Sequence, residues 1–222
     1  MTELLFPNVN WERLWEATLE TLYMTGLSVL FTFVLGVFLG LLLFLTDKGN
    51  LWQNRLIHGF TAVFVNVFRS IPFIILIVLL IPFTRALVGS MLGPSAALPA
   101  LIIGAAPFYA RMVEIALREI DKGVIEASRA MGASNNEIIF KVLLPESMPA
   151  LISGITVTSI ALVSYTAMAG FIGAGGLGDM AFREGFQRRQ EDVTLMATIV
   201  ILIIVFAVQF FGDRLTHKLD KR

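Results

Sequence analysis

The sequence contains no cysteine and only two histidines among its 222 residues. Without cysteine, the chain cannot form disulfides, thiolate metal sites or a thiol nucleophile. It also lacks the lysine-serine/threonine end of a phosphate-binding loop. Its formal net charge is zero, which gives no reason to expect a nucleic-acid partner. The sequence therefore predicts no catalytic residue, no metal site, no bound nucleotide and no contact with nucleic acid.

Charged residues are scarce as well. They make up 15% of the chain, whereas soluble domains carry about 25%. Hydrophobic residues make up 56%, and the mean hydropathy is +0.79. A helix needs about 20 apolar residues to cross the hydrocarbon core of a bilayer. Five segments satisfy this length and predict an all-α membrane protein in contact with lipid: residues 18–45, 57–83, 96–117, 149–172 and 193–211.

Lysine and arginine near the span ends predict the orientation, because cytoplasmic loops are enriched in both. With the N-terminus outside, ten of these residues fall on the cytoplasmic side and five on the outer side. We therefore predict the N-terminus outside and the C-terminus in the cytoplasm. This interpretation divides the chain into an interfacial amphipathic segment (1–17), one transmembrane domain (18–213) with a cytoplasmic loop (118–148), and a basic cytoplasmic tail (214–222).

The longest polar interval between spans runs from Glu126 to Pro145. Gly132 suits the left-handed position that follows a helix C-terminus. Ser134 and Glu137 have the spacing of a capping box, which predicts a new helix start, and Pro145 is expected to end that helix. The interval therefore predicts two short helices joined by a turn at Gly132. Each has an apolar face to bury, which a loop exposed only to water does not need.

The second span carries Asn66 and Arg69, and Pro72 follows them. Proline removes one backbone hydrogen bond, so we expect a kink at Pro72. An arginine at the bilayer centre costs about 2.5–3.5 kcal/mol on insertion scales and normally faces protein or water. Arg69 and Pro72 are therefore candidates for lining a pathway cavity. Alternatively, the span begins near Ile71, and Asn66 and Arg69 lie at the inner interface.

Hydroxyl side chains mark the fourth span. Four of them fall near one helical face and are candidates for lining the pathway: Ser153, Thr156, Ser159 and Thr166. The alternative is hydrogen bonding between packed helices, which uses the same residue types.

Two groups of glycines stand out. Gly36 and Gly40 form a GxxxG pair in the first span, which either allows another helix to approach closely or reflects ordinary membrane glycine content. After the fourth span, the sequence GFIGAGGLGD predicts an outer gate or re-entrant turn. Its candidate residues are Gly173, Gly175, Gly176 and Gly178.

The polar interval resembles the EAA loop in permease subunits of bacterial ABC importers. That pattern is Glu-Ala-Ala, three residues, Gly, nine residues, Ile, one residue and Leu-Pro, and here Ser128 and Val142 replace the second Ala and the Ile. Further segments resemble the permeases of methionine importers over most of the chain, from about residue 18 to residue 214: FRSIPF, GAAPFYARMVE, EASRAMGA, KVLLPE and GAGGLGD.

The resemblance implies the type I importer permease fold and a homodimer in the bacterial inner membrane. It implies two separate cytoplasmic ATPase subunits, which would hold ATP and Mg²⁺, so the chain would not be an enzyme by itself. An external substrate-binding lipoprotein would deliver methionine, in the L and D forms. The residues implied in coupling to the ATPase are Glu126, Ala127, Ser128, Met131, Gly132, Leu144 and Pro145.

Other functions remain as alternatives. One is a permease of the same class for another amino acid or small solute. An intramembrane enzyme would need a catalytic constellation that the sequence lacks. An autonomous channel or a membrane scaffold would leave the two short cytoplasmic helices unexplained.

Overall fold

The chain folds into helices joined by short turns, and the computed structural model describes residues 6–220. Within those residues, four helices are long and apolar enough to cross a membrane, and a bent pair raises the number to five. This confirms the predicted class. In chain order the helices are α1 (Trp11–Thr46), α2 (Arg55–Ser70), α3 (Phe73–Leu79), α4 (Ile81–Val88), α5 (Pro94–Arg118), α6 (Lys122–Ala130), α7 (Asn135–Phe171), α8 (Gly176–Asp179) and α9 (Glu191–Leu219).

The helix α1 begins earlier than the first span predicted from hydropathy. The Asn10 side chain caps it by accepting a hydrogen bond from the Arg13 N–H at 3.1 Å. No proline or glycine separates this cap from the apolar run, so the amphipathic residues 11–17 continue into the span as one helix. Residues 1–5 of the predicted interfacial segment lie outside the described residues.

The glycine pair on α1 lies where this helix packs against α5. A side chain at Gly36 would collide with the ring of Tyr109. A Cβ at Gly40 would lie 2.5 Å from Val113 Cβ and 2.7 Å from the Ala110 carbonyl oxygen. Of the two alternatives for this pair, close helix approach is therefore the one observed.

The predicted second span is broken at the predicted proline. The helices α2 and α3 meet at an angle of 107°, and Ile71 and Pro72 between them are extended. Pro72 has no N–H with which to continue the hydrogen bonds of α2. The expected kink is thus confirmed. It is sharp enough that the end of α2 and the start of α3 meet within the predicted span.

Candidate functional site

The helix α6 carries the first half of the interval that resembles the EAA loop. Asp121 caps its start by accepting from the Gly123 N–H at 2.8 Å. At its end, the Ala133 N–H donates to the Ser128 carbonyl and the Gly132 N–H donates to the Arg129 carbonyl. These two bonds form a Schellman motif, in which Gly132 has a φ of +85°. The predicted turn at Gly132 is confirmed.

The capping box is also present. The Ser134 N–H donates to Glu137 Oε2 at 3.1 Å, and the Glu137 N–H donates to Ser134 Oγ at 3.4 Å. Lys141 then pairs with Glu137 at 2.9 Å, one turn further along. The box therefore starts a helix where the sequence predicted one.

The prediction that Pro145 ends this second helix is wrong. Residues 138–143 form a π-helical turn, in which the Leu144 N–H reaches back five residues to the Ile139 carbonyl. The helix then continues through Pro145 to Phe171. The wider turn shifts the hydrogen-bond register, so the missing N–H and the ring of Pro145 are accommodated. The loop that resembles the EAA loop therefore contains one separate short helix, α6, and the N-terminal end of α7.

The π turn anchors the loop to the membrane helices. Ile138, Ile139 and Leu143 are buried in a cluster with side chains near the C-terminal ends of α1 and α5, including Phe44 and Leu117. This is the apolar face that the sequence predicted. Three other large apolar side chains of the loop are exposed instead of buried. They are Val124 on α6 at 43%, Met131 just after α6 at 82%, and Phe140 in the π turn at 66%.

The seven coupling candidates divide by exposure. Ser128 is buried, and its hydroxyl donates to the Val124 carbonyl at 2.7 Å. Leu144, within α7, is half-buried and packs against the apolar cluster around the π turn. The other five are exposed: Glu126, Ala127, Met131, Gly132 and Pro145.

A network of ion pairs joins α5 to the turn that follows α1. Glu114 is fully buried and pairs with Arg111 at 2.5 Å and with Arg118 at 2.7 Å. Arg118 also reaches Asp47, beyond the end of α1, at 2.8 Å. Burial acts to raise the pKa of Asp47, but the hydrogen bond from the Lys48 N–H and the charge of Arg118 outweigh it and hold that pKa below its ordinary value. This network thus fixes the end of α5 to the turn that follows α1.

The pathway candidates do not form one surface. Arg69 lines a cavity of about 240 Å³ that Tyr165 of α7 also lines, and Pro72 lies exposed at the helix break. Thr156 and Ser159 face a groove between α7 and α9 and donate to carbonyls of their own helix at 2.8 and 2.7 Å.

The two remaining pathway candidates lie elsewhere on α7. Thr166 is buried and donates to the Val163 carbonyl at 2.7 Å, whereas Ser153 is exposed. Thr156, Ser159 and Thr166 therefore donate to carbonyls within α7, and none of these three bonds reaches another helix. Their part in a pathway stays a prediction.

The glycine-rich turn is tightly held. Gly173, Gly175 and Gly176 all have positive φ. The Gly176 N–H donates to Glu20 Oε2 at 2.7 Å, and the Leu177 N–H donates to Thr21 Oγ1 at 2.9 Å. These two hydrogen bonds hold the turn against α1. A side chain at Gly178 would collide with the backbone of Ala167 on α7. The turn therefore packs against both α1 and α7, and its action as a gate stays a prediction.

An ionic cluster surrounds that turn. The Arg13 guanidinium lies 3.4–3.9 Å from the carboxylates of Glu16, Glu20, Asp179 and Glu184. Burial raises the pKa of Asp179 above its ordinary value, although Arg183 lies 2.7 Å away. Among residues 6–220, no three His, Asp or Glu side chains come together in a way that could hold a metal ion.

Comparison with known proteins gives the family. Residues 32–222 match the family described as "Binding-protein-dependent transport system inner membrane component". The chain belongs to this family of transporter inner-membrane components. Over 222 residues, covering both chains fully, it is 65% identical to the "Methionine import system permease protein MetP" of Bacillus subtilis. It is 48% identical to the "Probable D-methionine transport system permease protein MetI" of Pasteurella multocida, covering 96% of this chain and 98% of that protein.

Solved structures agree with the family assignment. A chain of the crystal structure "Inward facing conformations of the MetNI methionine ABC transporter" matches with a TM-score of 0.92 and 45% identity, covering 96% of this chain and all of that one. A chain from an amino acid ABC transporter crystallised with histidines matches with a TM-score of 0.76 at 17% identity, covering 93% of this chain and 94% of that chain. The second likeness concerns the fold alone. The inner-membrane component described here thus has the type I importer permease fold.

Sequence reasoning missed two arrangements in this family member. The first is the link between Asp47 and Arg118, which are 71 residues apart and carry no shared motif. The second is the aromatic wall beside Arg69, where Phe73 and Tyr165 stack with their centroids 4.4 Å apart. The one local pattern that bears on either arrangement is the i, i+4 spacing of Glu114 and Arg118, which favours an ion pair on one helix face.

Proposed function

We propose that this chain is the permease subunit of an ATP-driven importer that carries methionine, in the L and D forms, across the bacterial inner membrane. The similarity to the methionine permeases of Bacillus subtilis and Pasteurella multocida supports methionine as the substrate. In this proposal two copies of the chain pair in the membrane. Two ATPase subunits bind them from the cytoplasm, and the ATPase chains alone hold ATP and Mg²⁺.

The exposed apolar surface of the cytoplasmic loop carries this proposal. Val124, Met131 and Phe140 are large apolar side chains exposed on a polar segment. Such a surface is costly in water and marks a contact with a partner. The surface includes Met131 and lies beside Ala127, two of the residues that the EAA resemblance assigns to ATPase coupling. We therefore assign α6 as the helix that docks on the ATPase.

The attachments of α6 explain how a movement there would reach the membrane. On one side, Asp121 joins α6 to α5, whose end is fixed to Asp47 through Arg118. On the other side, the Schellman turn joins α6 to α7, whose π turn is packed against α1 and α5. A displacement of α6 by a closing ATPase would therefore move α5 and α7 together, and no chemistry in this chain is required.

The outer side of the proposed assembly meets the substrate-binding lipoprotein. This assignment follows the predicted orientation, with the N-terminus outside. Arg188 and Arg189 are exposed between the π-helical residues 180–186 and α9, and they offer a charged surface for such a partner. The second candidate is a permease of the same class for another amino acid or small solute, since the external protein can set the specificity.

Transport by the reconstituted complex tests both parts of the proposal. Proteoliposomes with the ATPase and the binding protein should take up labelled methionine, and unlabelled L- and D-methionine should compete whereas histidine should not. Ala127→Trp and Met131→Asp should abolish uptake and weaken co-purification of the ATPase, because both change the docking surface. Arg55→Trp, at the exposed start of α2 and outside these attachments, is the matched control and should leave uptake unchanged.

Each half of this experiment can fail separately. Uptake of another solute in place of methionine would show that the proposed substrate is wrong and would leave the assignment as an importer permease in place. Normal uptake and normal ATPase binding in Ala127→Trp and Met131→Asp would overturn the coupling assignment.

A further inference from the structure

A cavity of about 240 Å³ lies at the break between α2 and α3, where α5 and α7 also reach. One charged side chain, Arg69, lines it. Four aromatic side chains line it too: Phe68, Phe73, Phe108 and Tyr165. No lining residue is acidic. The cavity therefore combines one fixed positive charge with a mainly aromatic wall, inside a segment that is apolar enough to lie in the membrane.

Arg69 lacks a counter-charge in the described part of the chain. Among residues 6–220, none of the ion pairs or hydrogen bonds includes its guanidinium, although both arginines of α5, Arg111 and Arg118, are paired with carboxylates. An arginine at membrane depth is costly unless it meets an anion or water. Its planar fork of donors binds a carboxylate in a bidentate manner. Arg69 thus has the chemistry to receive a carboxylate from a ligand.

The aromatic wall suits an apolar or sulfur-containing group. Phe73 and Tyr165 stack with their rings 4.4 Å apart and almost parallel, at 3°. Gly104 supports this arrangement, because a Cβ there would approach Phe73 to 3.2 Å and Leu76 to 3.3 Å. Thioether sulfurs make favourable contacts with aromatic rings. The wall can therefore hold an unbranched apolar or thioether side chain.

The broken end of α2 offers the opposite polarity. The helix ends at Ser70, Ile71 is extended with φ −82° and ψ 121°, and Pro72 has no N–H. The last carbonyls of a helix have no partner within it and form the negative end of the helix dipole. Arg69 and Ile71 lie on either side of this helix end and both line the cavity. The positive charge of Arg69 and the carbonyl end of α2 therefore lie at the same edge of the cavity, as recognition of a zwitterion requires.

We propose that this cavity binds the amino-acid substrate within the permease during translocation. Arg69 holds the α-carboxylate, the carbonyls at the end of α2 receive the α-ammonium group, and the side chain lies against Phe73 and Tyr165. The ligand class is an α-amino acid with an apolar or thioether side chain. This inference rests on the proposed function, which leaves open whether the permease has a substrate site of its own.

Binding by the permease–ATPase complex, without the external binding protein, is the direct test. Labelled methionine should bind the wild-type complex and be displaced by methionine, but only weakly by methioninol, which lacks the carboxylate. Arg69→Gln should lower the affinity roughly tenfold or more, because a charge-assisted hydrogen bond is lost. It should also remove the preference for methionine over methioninol. Arg69→Lys keeps the charge and should therefore restore part of the affinity and part of the preference for methionine.

Two further variants protect the test against a folding defect. Tyr165→Ala should weaken methionine binding, whereas Tyr165→Phe should preserve it, since the stacking ring remains. Unchanged binding and unchanged discrimination in Arg69→Gln would overturn the proposal. A second result would also overturn it: Arg69→Gln loses the permease dimer, Arg69→Lys discriminates normally and Tyr165→Ala binds methionine normally. That result would assign Arg69 to contact with the second copy or with lipid phosphate.

The proposed function fails on a different observation. If the wild-type complex takes up no methionine even with its binding protein, the transport assignment itself is wrong. If the wild type transports methionine and the Arg69 and Tyr165 variants bind and transport it equally well, only the internal site is wrong.

Discussion

At the scale of single residues, glycine is required for different physical reasons at different positions of this protein. Gly40 has an ordinary helical backbone, and its lack of a side chain is what lets α1 approach α5. Gly132 has open space around it, since a Cβ added there would meet no atom within 4 Å, but its φ of +85° favours glycine. The first is a packing requirement and the second a backbone requirement, so their substitutions should fail in different ways.

Gly40→Val should destabilise the membrane domain. The new side chain would meet Val113 and the backbone oxygen of Ala110, and the helices would have to move apart. Overpacking of this kind costs about 1–3 kcal/mol. The measurement is the apparent melting temperature of the purified protein in detergent. Gly26→Val on the same helix is the matched control, because nothing lies within 4 Å of that position. Equal melting temperatures for the two variants would contradict the close approach.

At the scale of helices, two prolines lead to opposite outcomes. Pro72 separates α2 from α3 by 107°, whereas Pro145 lies within a helix that continues to Phe171. The difference lies in the residues before each proline. A π turn precedes Pro145 and shifts the hydrogen-bond register, while Ile71 before Pro72 is extended, as residues before proline generally are. The loop is therefore joined to the rest of α7 by a continuous helix.

The turn between α6 and α7 should be sensitive to backbone geometry alone. Gly132→Val would strain the left-handed position by about 1–3 kcal/mol and change the direction of α6, so we expect uptake to fall while the protein still inserts into the membrane. Gly132→Asn is the control, since asparagine tolerates this conformation, and it should retain most uptake. Transport rates in proteoliposomes give the measurement. Equal transport by both variants would show that the turn geometry is not required.

At the scale of the whole molecule, the proposed orientation assigns every contact to a side of the membrane. The coupling surface around α6 faces the cytoplasm only if the N-terminus lies outside, and the ionic cluster around Arg13 then faces the external partner. The family assignment to the inner membrane does not by itself specify this direction. The orientation is therefore a separate prediction with its own test.

The absence of cysteine makes that test direct. Single cysteines at two exposed positions, Arg188→Cys and Lys48→Cys, can be labelled with a maleimide that does not cross membranes. We expect Arg188→Cys to react in intact cells or spheroplasts and Lys48→Cys to react only after the membrane is opened. The reverse pattern would invert the topology and remove α6 from the cytoplasm.

The sequence by itself determined the membrane class, the approximate spans, the break at Pro72, the capping box at Ser134 and the turn at Gly132. Each of these depends on residues close together in the chain, where hydropathy, caps and proline geometry act locally. The EAA spacing belongs to the same group, since it is a local pattern.

Only the tertiary structure decided how those parts meet. The continuity of α7 through Pro145 depends on the π turn being buried against α1 and α5. The link from Asp47 to Arg118 and the stack of Phe73 on Tyr165 join residues 71 and 92 positions apart, respectively. Contacts over such distances depend on how the helices pack in three dimensions, and no local propensity encodes them.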